Sequence, residues 1–201
     1  GGVALNLETP EAVRAAAAAM QLRVRAAAPA ARLAGFTVQP MERRADAIEL
    51  IVGAKEDAQF GPAILFGQGG VAVEVLRDTA IALPPLNLGL ARALMARTRV
   101  NALLQGYRGQ PAAAIEDIAL TLVRVSQLVV DHAEIAELDI NPLLARPDGV
   151  VALDARIRVG AASRPGAARL AIRPYPSELE TTVTLEDGSR MLLRPVRPED
   201  E

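Results

Sequence analysis

Two alternating runs, Ala136-Glu137-Leu138-Asp139-Ile140-Asn141-Pro142-Leu143-Leu144 and Val150-Val151-Ala152-Leu153-Asp154-Ala155-Arg156, flank Arg146-Pro147-Asp148-Gly149. Alternation of apolar and polar residues marks strands with one covered face, and Pro-Asp-Gly marks the turn between them. With Pro147 and Asp148 as the central turn residues, Asn141 stands opposite Asp154 and Asp139 opposite Arg156. Side chains alternate along a strand, so Asp139, Asn141 and Asp154 share one face. Leu138, Ile140, Leu153 and Ala155 share the other. Directly opposed Cβ atoms lie ~5 Å apart.

That face has two readings. A hard cation such as Mg²⁺ takes oxygen ligands, typically one or two carboxylates completed by phosphate oxygens and water. An Asn amide oxygen facing an Asp carboxylate meets that need. A hairpin with one wet face, on which Asp139 pairs with Arg156, meets the pattern too and is the more ordinary reading of it.

Composition narrows the function classes. A net charge of −2 and 2% aromatic residues supply neither the basic footprint nor the stacking platforms of a nucleic-acid binder. The absence of cysteine excludes disulfides, thiolate catalysis and zinc-thiolate sites. No run reaches the ~18 apolar residues that a membrane span requires. The expected location is cytoplasmic, with no membrane and no nucleic-acid partner. Lys55 is the only lysine and His132 the only histidine. Lys55 is expected to be a solvated strand-end lysine, and His132 an ordinary helix-end residue.

The rest of the chain reads as α+β. Gly1 to Leu7 alternates like a short strand, and Thr9-Pro10-Glu11 opens a helix running to about Ala28. Strands are expected over Gly35–Met41, Ala47–Ala54, Ala63–Phe66 and Val71–Leu76, with a turn at Asp57–Pro62 and a break at Gly67-Gln68-Gly69-Gly70. Asn87 opens another helix. A further helix carries an apolar stripe of Ile115, Ile118, Leu122, Val125 and Val129. From Ile157 to Pro176 the sequence turns to Arg, Ala, Gly, Ser and Pro, read as an extended, poorly packed linker. Asp187-Gly188 then predicts a hairpin turn between Thr181–Glu186 and Arg190–Arg194.

Taken together, several segments resemble the ATP-grasp domain of ADP-forming acyl-CoA synthetases and, more distantly, the β subunit of succinyl-CoA synthetase. They are Gly1-Gly2-Val3, Val38-Gln39-Pro40-Met41, Glu49 to Lys55, Gln59-Phe60-Gly61-Pro62, Phe66 to Val71, Leu104 to Gly109, and Glu137 to Leu143 with Asp154-Ala155-Arg156. The resemblance implies an ATP-grasp domain over residues 1–157, a linker over 158–179 and the start of a second domain over 180–201. It implies that Asn141 and Asp154 are ligands of a Mg²⁺-bound ATP or ADP. Asp139 matches an acidic residue that contacts a phosphohistidine. Gln39 matches the hinge beside the adenine, Glu49 a carboxylate near the nucleotide, and Gly69 and Gly70 a nucleotide-side glycine loop. A glycine pair between strands also serves as a plain turn. The implied reaction is acyl-CoA + ADP + phosphate ⇌ acid + ATP + CoA. CoA-binding and ligase domains carrying the phosphohistidine are the implied partners.

The same resemblance places the family's lysine-bearing strand ahead of Gly1, so this chain by itself is expected to lack synthetase activity and to bind Mg²⁺-nucleotide weakly at most. Met191 to Asp200 resembles the opening of a GNAT acetyltransferase. That suggests a second reading, a regulatory ligase-like module fused to such an enzyme.

Overall fold

A computed structural model of the chain describes residues 2–42, 47–70, 78–162, 166–173, 175–196 and 200. Contacts divide the chain into two compact units, residues 1–45 and 46–201, within the span expected as a single domain.

In the first unit, helix α1 (Pro10–Ala27) begins where the sequence places it. The Thr9 hydroxyl accepts from the Ala12 N–H at 3.1 Å, and Pro10 fills the first turn, where a missing N–H costs nothing. Val13, Met20 and Val24 on one helix face line a hollow of about 650 Å³ with Leu33, Phe36 and Met41. The strands expected over residues 1–7 and 35–41 are not formed over their described residues. Alternation supplies a face but not a partner. Strand backbone needs a neighbouring ladder, and residues 2–42 hold one helix and no strand.

The second unit is built on an antiparallel sheet of β1 (Ile48–Asp57), β2 (Gly61–Gln68), β3 (Thr79–Ala82), β4 (Ile135–Arg146), β5 (Gly149–Ala152) and β6 (Ala155–Val159). The order is β3-β2-β1-β4-β5, with β6 also paired to β4. Asp57 makes the β1–β2 turn: its carboxylate accepts from the N–H groups of Gln59 at 2.8 Å and Phe60 at 2.9 Å. β2 runs on through Gly67 and Gln68, where a break was expected. β3 was not foreseen, since four residues are too few to show a period. The strand expected over 71–76 lies outside the described residues.

Three helices follow β3: α2 (Leu88–Ala96), α3 (Val100–Leu104) and α4 (Ile115–Asp131). Asn87 caps α2 through the Leu90 N–H at 2.8 Å. Buried Asp78 accepts from the N–H groups of Arg99 and Val100, each at 2.7 Å, at the start of α3. The stripe of α4 is buried at Ile118, Leu122, Val125 and Val129, with Ile115 half-covered. It packs in one core with Leu50 and Val52 of β1, Ile64 and Phe66 of β2, and Leu94 and Met95 of α2. Alternation along β1 and β2 sends these residues to the helix side. Truncating any such buried Leu or Ile to Ala typically costs about 2–5 kcal/mol.

The span read as a poorly packed linker is exposed over most of its described residues but is anchored at one point. β6 continues to Val159, and Arg169 and Leu170 are both 3% exposed. The Arg169 guanidinium meets Glu56 Oε2 at 2.6 Å and donates to the carbonyls of Val129 and His132 at the end of α4. The last carbonyls of a helix lack intrahelical partners, so a cation there satisfies both hydrogen bonding and the helix dipole. Gly61 makes room for this segment: its φ is +71°, and a Cβ there would overlap the Arg169 carbonyl. Composition averages over the segment and misses these two anchoring side chains. Beyond it, β7 (Thr181–Thr184) and β8 (Arg190–Leu193) form the expected hairpin around Asp187-Gly188.

Candidate nucleotide and cation site

The hairpin register follows the sequence reading. Leu143 pairs with Ala152, Arg146 with Gly149, Ile140 with Ala155, and Asp139 with Arg156. Between β5 and β6 the same register continues through the Asn141 N–H, which donates to the Asp154 carbonyl at 3.2 Å. The Leu153 N–H donates to the Pro142 carbonyl at 3.1 Å. Pro142 has no N–H to return, and the partner chain leaves regular strand geometry at this point. Asn141 and Asp154 are therefore opposed residues, at a point where the register of β4 against β1 also shifts, between the Leu50–Leu143 and Val52–Ile140 pairs.

The glycine pair is more than a turn. The Gly69 N–H donates to the Glu49 carbonyl at 2.8 Å, and the Gly70 N–H donates to Asn141 Oδ1 at 3.2 Å. A Cβ on Gly69 would overlap the Leu50 backbone, and one on Gly70, whose φ is +73°, would overlap the Glu49 carboxylate. Glu49, Gly69, Gly70 and Asn141 thus meet, and the hairpin register sets Asp154 opposite Asn141. Gln39 lies in the first unit, on the wall of that unit's own hollow.

On the sheet face turned away from the helices, Ile51, Lys55, Leu65, Ile81, Glu137 and Asp139 line a hollow of about 410 Å³. Lys55 is exposed there and pairs in register with Glu137. Asp57 also lines this hollow; its carboxyl is held below its ordinary pKa by the Phe60 and Gln59 N–H groups. His132 caps the end of α4, with Nδ1 3.0 Å from Glu134 Oε1, away from these residues.

Arg156 departs from the simple wet-face reading. Its Nη2 lies 3.2 Å from Asp154 Oδ2, so it turns along its own strand rather than across to Asp139. The i, i+2 spacing of Asp154 and Arg156 carried that signal in the sequence. Asn141 and Asp154 offer one neutral and one charged hard oxygen donor, which fits Mg²⁺ completed by phosphate and water. The described residues hold no group of three or more His, Cys, Asp or Glu able to cage a metal.

A family model described as an ATP-grasp domain matches residues 1–159. The chain belongs to the ATP-grasp domain family. Its α+β architecture, an antiparallel sheet with flanking helices, agrees with that membership. This ATP-grasp domain is 39% identical over 160 residues to acetate–CoA ligase [ADP-forming] I of Archaeoglobus fulgidus, covering 80% of the chain and 23% of the relative. It is 36% identical over 160 residues to the acetate–CoA ligase [ADP-forming] I subunit beta of Pyrococcus furiosus, covering 78% of the chain and 67% of that subunit. Among solved structures, it resembles a Ca. Korarchaeum cryptofilum dinucleotide forming acetyl-coenzyme A synthetase 1 in complex with coenzyme A and Mg-AMPPCP. The TM-score is 0.66 at 34% identity, covering 80% of this chain and 68% of that one. The ATP-grasp domain thus spans about a quarter of the first relative. The family match stops at residue 159, and the acetyltransferase reading of residues 180–201 gains no support from it. Among the described residues, no helix is long and apolar enough to cross a membrane.

Proposed function

We propose that this ATP-grasp domain binds Mg²⁺-ADP and Mg²⁺-ATP as the nucleotide half of an ADP-forming acyl-CoA synthetase working in the cytoplasm. The observation that supports this reading is the register that sets Asn141 opposite Asp154, with the Asn141 amide oxygen accepting from the Gly70 N–H. Asn141 Oδ1 and the Asp154 carboxylate would hold the cation. Its charge, when bound, offsets that of the phosphates, which is much of what phosphoryl transfer requires.

The chain's own residues do the rest. Gly70 orients the Asn141 amide, since an amide oxygen with two lone pairs can accept the N–H and still ligate. Glu49 and the close-packed Gly69 hold that glycine against the strand. Asp139, two positions from Asn141, faces the phosphohistidine donor supplied by ligase domains of the same protein or of a partner subunit. Domain boundaries near 157 and 180, and a hinge role for Gln39, belong to the same proposal. Its support is the family match over residues 1–159 and the synthetase relatives that share it.

Calorimetry with ADP and ATP, with and without Mg²⁺, tests the reading. Heat that requires Mg²⁺ and disappears in Asp154→Ala supports it, and Asp139→Asn should leave that binding in place. Nucleotide binding indifferent to both Mg²⁺ and Asp154→Ala would overturn it.

A further inference from the structure

We propose that Arg156 is the resident counter-ion of the cation site. It holds Asp154 while the site is without metal and turns to the phosphate chain when cation and nucleotide enter together. This rests on the reading of Asn141 and Asp154 as cation ligands.

Three observations carry it. Arg156 Nη2 sits 3.2 Å from Asp154 Oδ2, on the carboxylate that the cation would need. The Arg156 side chain is 80% exposed, so no packing hinders its departure. Two other arginines of the hairpin are engaged elsewhere: Arg158 is held on Glu137 Oε2 at 3.0 Å, and Arg146 pairs with Asp148 at 3.2 Å. Of these three hairpin arginines, Arg156 is the one held on the Asp154 carboxylate itself.

The exchange balances charge. A cation arriving alone must displace a guanidinium that then has no anion to meet. A cation arriving with nucleotide brings phosphate oxygens, which suit the guanidinium fork. Arg156 thus weakens binding of the bare cation and strengthens binding of the nucleotide complex. The two ligands are thereby coupled through one side chain.

The test uses Mn²⁺ as the probe, followed by its paramagnetic resonance signal, with the full chain and with Arg156→Gln. Mn²⁺ alone should bind the variant about two- to fivefold more tightly, the range expected on removing an exposed ion pair. ADP at saturating Mn²⁺ should bind it about tenfold more weakly, for loss of a charge-assisted hydrogen bond. A merely structural role would move both affinities the same way. If Arg156→Gln binds Mn²⁺ no more tightly, or ADP no more weakly, the inference is overturned. An Asp154→Asn variant separates the two failures. If it leaves Mn²⁺-ADP binding unchanged, the cation-site reading itself falls. If it abolishes that binding while Arg156→Gln lacks the opposed shifts, only the role of Arg156 is lost.

Discussion

Arg169 and Glu56 are 113 residues apart in the chain, yet their side chains meet at 2.6 Å. The guanidinium is 1% exposed and Glu56 27%, so the contact is far better shielded than a surface ion pair. It ties the segment after β6 to the β1–β2 hairpin, and the Arg169 donors at Val129 and His132 extend the tie to α4. Removing one partner of a shielded pair leaves the other poorly solvated. Arg169→Ala should lower unfolding free energy by about 2–3 kcal/mol in urea titration, moderated by the partial exposure of Glu56. Proteolysis within residues 157–176 should accelerate in the same variant. A wild-type chain cut there as readily as its exposed turns would contradict this docking.

The glycines separate by environment. Gly109 also has a positive φ, +87°, but its missing Cβ faces open space. Gly109→Ala should cost only the conformational penalty of about 1–2 kcal/mol. Gly70→Ala adds displacement of the flexible Glu49 carboxylate, and should in addition weaken Mg²⁺-dependent nucleotide binding by disturbing the contact to Asn141. Gly69→Ala meets Leu50 backbone, which cannot move aside, and should cost about 2–3 kcal/mol as an overpacked site. Thermal unfolding of the three variants should therefore rank Gly69→Ala as most damaging. Equal losses at all three positions would remove the argument.

Acid should loosen the β1–β2 turn through Asp57. Two backbone N–H groups hold its carboxyl below its ordinary pKa in the folded chain. A depressed folded pKa means that the stabilisation is complete above the unfolded value. It is lost as pH falls through the folded value. The wild type should thus be more stable than Asp57→Ala at neutral pH, with the difference shrinking below about pH 4. Paired unfolding curves across that range give the check. A gap that stays constant or widens on acidification would contradict the assignment.

The sequence by itself determined the hairpin register, the start of α1 at Thr9, the start of α2 at Asn87 and the buried stripe of α4. Each rests on rules acting within a few residues: turn chemistry around Pro147-Asp148, side-chain period and capping. Asn141 and Asp154 were legible together for that reason. What surrounds them was not. Gly70 reaches Asn141 across 71 residues, and Arg169 reaches Glu56 across 113. Whether Arg156 turned to Asp139 or Asp154 was a choice between side-chain rotamers on one face, equally open to period and pairing. The alternating residues before α1 and after it made no strand in their own unit, because alternation does not supply a hydrogen-bonding neighbour. Local sterics decide which residues share a face. Only packing of distant segments decides which groups then meet across it.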